Sequence, residues 1–279
     1  MFEQFNQKRS SVTKKIVLPG VGLLIIGGLL FLGNITEVAI AFVIIGVIVL
    51  IIGMSQLTSL TKGFKKQYLF EVLSSNFDNV SYTGGRGASR EEVKQSELLP
   101  RSDRFYSNDL INATYNGIDF MMSDIHLQEV HRNGKNTTVR TIFKGPFMKF
   151  TFNKDFVGKL QVRERGFVSW FSKYEKMKME SIAFNKTFTT YSTDDHTAFY
   201  ILTPHLMEQL IELERERRGV FYFSFINGEM FIALDNRSDS FELPVFSKVD
   251  ESLGDRFQSE FQIIKDIIDE LKLNKNIFK

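Results

Sequence analysis

Hydrophobic and polar residues divide the chain into an apolar N-terminal part and a longer part of mixed pattern. Residues 16–32 and residues 38–54 are each a run of 17 uncharged, mostly apolar residues, and only the turn 33–37 separates them. A helix of that length spans about 26 Å, close to the roughly 30 Å hydrocarbon core of a bilayer. The pattern predicts a transmembrane helical hairpin over residues 16–57, preceded by a loose polar arm over residues 1–15.

Two other interpretations of the apolar part stay open at this point. A signal peptide also has basic residues followed by an apolar run, but here a second apolar run follows within five residues, so cleavage would leave a spanning helix. A buried helical hairpin of a soluble protein is disfavoured because neither segment has a polar face. Small residues in the segments allow either close helix packing or lipid exposure. They are Gly20, Gly22, Gly27, Gly28, Gly33, Gly46 and Gly53.

Basic residues in the flanks predict the orientation of the hairpin, because short cytoplasmic flanks carry an excess of lysine and arginine. The turn carries Glu37 and no basic residue. Both termini and the domain of residues 63–279 are therefore expected on the cytoplasmic side of the cell membrane. The absence of cysteine fits a reducing compartment. The basic flanking residues are Lys8, Arg9, Lys14 and Lys15 before the hairpin, and Lys62, Lys65 and Lys66 after it.

The remainder of the chain predicts an α+β domain of antiparallel β-hairpins with helices packed on one face. Asn-Gly pairs at residues 116, 133 and 227 lie between apolar alternations, the strongest short-range hairpin signal. Ser89 and Glu92 form a capping-box pattern, and Thr203 followed by Pro204 predicts another helix start. Further helices are expected over residues 63–77 and 255–273, and a strand over residues 184–191.

Composition and motifs exclude several chemistries. The near balance of 35 basic and 33 acidic residues gives no support for nucleic-acid binding. None of the four histidines lies in an H-E-x-x-H motif and no cysteine pair exists, so we expect no metal and no cofactor. The glycines at residues 84–87 precede a helix, but they match no phosphate-loop motif, so a flexible loop is favoured over phosphate binding.

Two polar clusters are candidate sites. Adjacent carboxylates beside a histidine suit acid–base chemistry or cation binding, whereas an aspartate before a helix is also a common N-cap. We therefore carry both interpretations forward. The clusters are Asn153, Lys154 and Asp155, and Asp194, Asp195 and His196.

An aromatic stretch with basic neighbours is a candidate membrane interface. Phe167, Trp170 and Phe171 lie close together, and Arg163 and Lys173 belong to the basic fringe. Aromatic rings beside cations suit insertion at the lipid headgroups. A segment buried in the core is the alternative.

Three segments resemble the bacterial Domain of Unknown Function 3137 family. Residues 143–158 are similar to its F-x-G … f-N-K-x-F-x-G pattern, and residues 179–188 to L-E-S-x-x-F-x-x-x-F. Residues 193–204 resemble D-x-x-E-A-R-Y-I-L-T-P, except that Thr197 and Phe199 replace the usual Glu and Arg. The resemblance implies two N-terminal spanning helices and no established activity. It also implies a small helical membrane protein of the LemA type as a partner.

The sequence thus predicts a non-catalytic, membrane-tethered cytoplasmic module that binds a partner protein or the lipid surface. The alternative is a membrane-bound enzyme that acts on a small or lipid substrate through Asp194, Asp195 and His196. A transport component is a third hypothesis, and it requires oligomerisation because two short helices form no pore.

Overall fold

The computed structural model describes residues 1–134, 136–151, 156–165, 173–243 and 248–271. The chain divides into two compact units. The first comprises residues Met1–Glu71 and Leu243–Arg256, and the second comprises Val72–Glu242 and Phe257–Lys279.

The first unit is built from long helices. Helix α1 (Phe2–Val12) continues through a π-helical turn at Thr13–Val17 into α2 (Leu18–Leu32), and α3 spans Thr36–Ser74. The turn between α2 and α3 includes Asn34 in the left-handed region, with φ of 60°. Both apolar segments and the short turn between them were thus predicted correctly.

Two helices in the described part of the chain are long and apolar enough to cross a membrane, Phe2–Leu32 and Thr36–Ser74. Only 11% of the most apolar stretch of the first helix is buried, and only 17% of that of the second. A helix in the core of a soluble protein would bury most of its apolar surface. The exposure therefore favours a lipid environment for these two helices.

Glycines let α2 and α3 approach closely. A Cβ on Gly27 would lie 2.8 Å from Val43 Cγ2 and 3.1 Å from the carbonyl oxygen of Ala39. Gly20, Gly46 and Gly53 meet the facing helix in the same way, whereas a Cβ on Gly22 or Gly28 would meet nothing within 4 Å. The first subset therefore serves close helix packing, and Gly22 and Gly28 lie on the outer surface of the hairpin.

The expectation of a loose N-terminal arm was wrong, because residues 2–12 form a helix that packs on α3. The Phe5 ring stacks on Phe64 with centroids 4.2 Å apart, and Phe2 meets Tyr68 at 4.9 Å. Asn6 also bonds the backbone of Val249 in both directions, at 2.6 and 3.1 Å. Aromatic residues three apart place both rings on one helical face, which stabilises the arm.

The second unit contains one antiparallel sheet. The nine strands found among the described residues have the order β1-β2-β3-β4-β9-β8-β5-β7-β6. Their bounds are β1 Asp78–Thr83, β2 Arg104–Tyr115, β3 Ile118–Asn133, β4 Asn136–Thr151, β5 Leu160–Glu164, β6 Glu175–Met177, β7 Phe188–Ser192, β8 Val220–Ile226 and β9 Glu229–Asp235.

All three Asn-Gly pairs form the predicted hairpins. Asn116 and Gly117 join β2 to β3 with φ of 49° and 79°, and Asn227 and Gly228 join β8 to β9 with φ of 54° and 73°. Positive φ at both central residues is the type I′ geometry that matches the twist of paired strands. Asn133 and Gly134 lie at the tip of β3, which pairs with β4.

Five helices of the described residues accompany the sheet, and their starts follow local capping chemistry. Ser89 forms a full capping box with Glu92, and the Thr203 side chain accepts the Leu206 N–H. These two starts match the prediction. The helix bounds are α4 Arg90–Gln95, α5 Ile182–Thr187, α6 Asp195–Ile201, α7 Pro204–Glu216 and α8 Ser252–Glu270.

The predicted strand over residues 184–191 was wrong in its first half, which is helix α5. Ser181 caps this helix by accepting the Phe184 N–H. Asn185 then bonds Met179 through both its side-chain groups, at 3.0 and 2.6 Å. These local hydrogen bonds stabilise one helical turn before the chain enters β7.

Apolar side chains cover both faces of the sheet. On one face Phe77 packs against Phe120 of β3 and Phe261 of α8, with ring centroids 5.0 and 5.6 Å apart. On the other face Val93 of α4 and Leu98 belong to a buried cluster with strand residues such as Met121. The fold is therefore α+β with an antiparallel sheet, as predicted, but helices pack on both faces of the sheet and not on one.

Candidate ligand-binding cavity

The aspartates proposed for catalysis lie at the start of α6, where Asp194 is the N-cap. Its Oδ1 accepts the Thr197 N–H at 2.7 Å, and its Oδ2 accepts the hydroxyls of Thr197 and Thr193 at 2.9 and 3.0 Å. The backbone hydrogen bond from Thr197 is the main cause that lowers the pKa of Asp194. Both carboxylate oxygens are thus engaged in local structure.

The other two members of this cluster are exposed on α6. His196 stacks on Tyr200, with centroids 6.0 Å apart and planes at 10°. Asp194 and His196 both line a surface hollow of about 620 Å³, together with Lys159, but Asp195 is not among its lining residues. The structure therefore brings two of the three predicted residues to one hollow, and Asp194 serves there as a cap.

Gly158 brings two of the family-like segments together at this cap. A Cβ on Gly158 would lie 2.1 Å from Thr197 Oγ1 and 2.3 Å from Asp194 Oδ2. Only glycine can approach the cap so closely without displacing it. The contact explains why a glycine ends one segment while an aspartate opens the other.

The remaining predicted residues lie outside the described part of the chain. These are Asn153, Lys154 and Asp155 of the first polar cluster, and Phe167, Trp170 and Phe171 of the aromatic stretch.

A buried carboxylate cluster is a feature that sequence reasoning missed. One oxygen each of Asp109, Asp124 and Asp239 lies within 4.8 Å of the others. The Tyr82 hydroxyl donates to Asp109 at 2.6 Å, and the N–H and hydroxyl of Ser240 donate to Asp124 at 3.0 and 2.9 Å. The oxygen spacing would suit a divalent cation, but these donors already occupy part of the coordination sphere.

Electrostatics of this cluster favour proton sharing. Burial is the main cause that raises the pKa of Asp124 well above its usual value, and the neighbouring charge of Asp239 raises it further. A hydrogen bond between Asp124 and Asp239 acts in the same direction. Close carboxylates that cannot all ionise hold a proton between them. A proton shared between Asp124 and Asp239 therefore links β3 to the segment that follows β9, next to Asp109 of β2.

A cavity of about 720 Å³ has α4 and the loop that follows α4 on one side. Its other side is the sheet face that carries Leu127. This volume falls within the range of roughly 300–1,000 Å³ that is typical of small-molecule sites. Its described apolar walls are Val93, Leu98, Leu99, Pro100, Phe105 and Leu127. Its described polar walls are Arg90, Glu91, Lys94, Glu97, Arg101, Ser102, Gln161, Arg163 and Lys173.

Arg163 forms the buried polar end of this cavity. Its side chain is only 6% exposed, and its Nη2 donates to Gln161 Oε1 at 2.8 Å. The guanidinium lies 5.6 Å from the ring centroid of Tyr191, a cation–π contact. Burial lowers the pKa of Arg163. The interpretation of this residue as part of an exposed basic fringe was therefore wrong, because β5 turns it toward the interior.

Glu97 is held beside the same wall in a backbone conformation with φ of 52°. Its carboxylate accepts Lys159 Nζ at 2.7 Å and also the Tyr174 hydroxyl. Burial acts to raise the pKa of Glu97, but these two hydrogen bonds and the charges of Lys159 and Lys173 together outweigh it, so the pKa is lowered. The Glu97 carbonyl accepts the Gln161 amide at 2.8 Å, which fixes the loop against β5.

Fold and sites together define the class as an α+β protein with an antiparallel sheet, a ligand-sized cavity and two helices suited to a membrane. The model of the family described as Protein of unknown function (DUF3137) matches residues 141–273. This match supports the resemblance to the family that the sequence suggested, over the matched segment.

Comparison with curated proteins finds no match. Among solved structures, the crystal structure of the mycobacterial trehalose monomycolate transport factor A, TtfA, is similar with a TM-score of 0.42 and 8% sequence identity. The similarity covers 75% of this chain and 96% of that chain. At this level it carries no conclusion about this protein.

Proposed function

We propose that this protein is a non-catalytic binding module tethered to the inner membrane by two helices, with both termini and the α+β unit in the cytoplasm. The exposed apolar surface of α2 and α3 supports the tether. For example, Leu29 and Ile51 are each 64% exposed. The basic residues that flank the hairpin support the orientation.

The observation that carries the binding role is the use of Asp194 as a helix cap. Both of its oxygens accept hydrogen bonds from Thr193 and Thr197, and Gly158 closes over them. A carboxylate held in this way is a poor general base, because its lowered pKa and its donors both oppose protonation. Residues 193–204 therefore serve the fold, and the ligand-sized cavity is the feature left for function.

The tether makes the bilayer the first partner. The family resemblance implies a small helical membrane protein of the LemA type as the second. A homo-oligomer is also consistent with the hairpin, since positions such as Gly22 and Gly28 leave a smooth outer helix face.

Extraction and crosslinking test this proposal. We expect the full chain to stay in the membrane pellet in alkaline carbonate, and crosslinking in native membranes to recover a discrete membrane-protein partner. Release by carbonate would contradict the tether. Recovery of no partner, together with no binding of the α+β unit to vesicles, would contradict the binding role.

An enzymatic role is the second candidate, because Asp194 and His196 share a hollow of about 620 Å³ with Lys159 and Tyr200. Alanine at Asp194, Asp195 and His196 together tests it. A cellular phenotype equal to that of the gene deletion, in a variant that is still folded and in the membrane, would favour the enzyme. An unchanged phenotype would remove it.

A further inference from the structure

We propose that the cavity between α4 and the sheet binds an amphiphilic organic anion, which has one carboxylate or phosphate head and an apolar chain. The proposal deepens the binding role proposed above and rests on it. It names a site and a ligand class within the α+β unit.

The charge of the cavity selects an anion. Among the described residues that line it, five are basic and two are acidic. Glu97 is already engaged with Lys159 and Tyr174, and Glu91 pairs with Lys94 at 3.7 Å. The ligand therefore meets a net positive wall. The five basic residues are Arg90, Lys94, Arg101, Arg163 and Lys173.

Burial makes Arg163 the anchor for the anionic head. A guanidinium in a low-dielectric site interacts strongly with an anion, and its planar donors match a carboxylate or a phosphate. Gln161 and Tyr191 hold the guanidinium in place through a hydrogen bond and a ring contact. A fixed donor group loses little entropy when a ligand binds, which favours affinity.

The apolar walls define the rest of the ligand. Leu127 lies on β3 and Arg163 lies on β5. In the sheet, strands β4, β9 and β8 lie between these two strands. Strands are spaced about 4.8 Å apart, so the strands that carry these two lining residues lie roughly 19 Å apart across the sheet. Leu98, Leu99 and Phe105 line the cavity as well. An extended chain, and not a compact polar metabolite, fits this shape.

Binding of short soluble amphiphiles tests the proposal. The full chain in phosphatidylcholine nanodiscs is dialysed to equilibrium against radiolabelled octanoate or octyl phosphate, with empty nanodiscs as the blank and octanol as the neutral analogue. We expect saturable binding of one octanoate or octyl phosphate per chain, and at least tenfold weaker binding of octanol. The ratio of the two affinities identifies the head group as carboxylate or phosphate.

Two variants and one control locate the site. Arg163→Gln removes the anchor, and Leu99→Trp fills the apolar wall. Each should weaken binding at least tenfold, whereas Arg218→Gln, an exposed substitution outside the cavity, should leave it unchanged. Circular dichroism checks the folding of each variant, and Leu99→Trp keeps the test decisive if Arg163→Gln does not fold.

Several outcomes would overturn the proposal: no saturable binding, equal binding of octanol, or full binding by folded Arg163→Gln or Leu99→Trp. Any of these in a chain that still resists carbonate would leave the membrane tether standing and remove only the ligand site. Release by carbonate with intact octanoate binding would do the reverse.

Discussion

Single polar residues in this protein act mainly on local structure, even where their pattern suggests chemistry. Asp194, Ser181 and Thr203 each accept a backbone N–H at the start of a helix. All three lie in segments that resemble the family pattern. Capping is therefore a structural role for residue types that otherwise suggest a catalytic site.

The capping role of Asp194 predicts an asymmetric effect of two neighbouring substitutions. Asp194→Ala should lower the thermal stability of the full chain, because the hydroxyls of Thr193 and Thr197 and the backbone N–H of Thr197 lose their acceptor. Asp195→Ala should change it much less, because that side chain lies exposed in the first turn. Thermal unfolding followed by circular dichroism measures both. Equal stability of the two variants would contradict the cap.

The buried carboxylates predict a dependence of stability on pH. Because the folded-state pKa of Asp124 is raised above its unfolded value near 3.8, the native state holds a proton that the unfolded state releases. The contribution of Asp124 to the free energy of unfolding therefore falls as pH rises through the folded pKa. It is largest at acidic pH, below that window.

Asp239→Asn should make this effect visible, because it removes the negative charge beside Asp124. We expect the variant to be more stable than the wild type at pH 8, by about 1.4 kcal/mol for each pKa unit that Asp239 contributes. The gain should vanish at acidic pH. Denaturant unfolding at several pH values measures it, with Asp119→Asn, an exposed change, as the control. A gain that is independent of pH would contradict the shared proton.

Residues that act across distant segments could not be predicted from the sequence. Asp109, Asp124 and Asp239 come from two strands and a loop, and no spacing links them. Arg163 alternates with the buried Val162 in a short strand, a pattern that usually marks a solvent face. Here α4 and its loop cover that face, so the polar residue is buried.

At the scale of elements, the predictions that succeeded rest on local chemistry. The Asn-Gly pairs at residues 116 and 227 each fix their own hairpin, because the required positive φ is a property of two adjacent residues. The capping box at Ser89 was also predicted correctly, because it depends only on residues three positions apart. The strand prediction failed for residues 184–187, because Asn185 closes a helical turn through hydrogen bonds that a periodicity count does not include.

The helical hairpin predicts different effects for two adjacent glycines. Gly27→Leu should destabilise the packing of α2 on α3 by about 1–3 kcal/mol, since the new side chain meets backbone atoms that cannot move aside. Gly28→Leu makes the same change in hydrophobicity one residue later, where nothing lies within 4 Å, and should be tolerated. Unfolding of the hairpin by titration with dodecyl sulfate compares the two. Equal midpoints would mean that the helices do not pack through Gly27.

At the scale of the whole molecule, the account has two parts, an apolar helical hairpin and an α+β unit. The helical hairpin was predictable because two uncharged apolar runs, each about as long as a bilayer requires, are visible in the sequence. The fold class of the second unit was predictable from its hairpin turns. The strand order was not, because β4 pairs with β9 and β5 with β8 across long stretches of chain.

Thiol labelling tests the central claim most directly, because the chain has no cysteine of its own. A single cysteine replaces either Glu37 in the turn or Lys186 in the α+β unit, and both positions are exposed. With a membrane-impermeant maleimide, we expect Glu37→Cys to react in right-side-out vesicles and Lys186→Cys only in inside-out vesicles. Labelling of Lys186→Cys in sealed right-side-out vesicles, or of both variants from one side, would contradict a hairpin that holds the α+β unit in the cytoplasm.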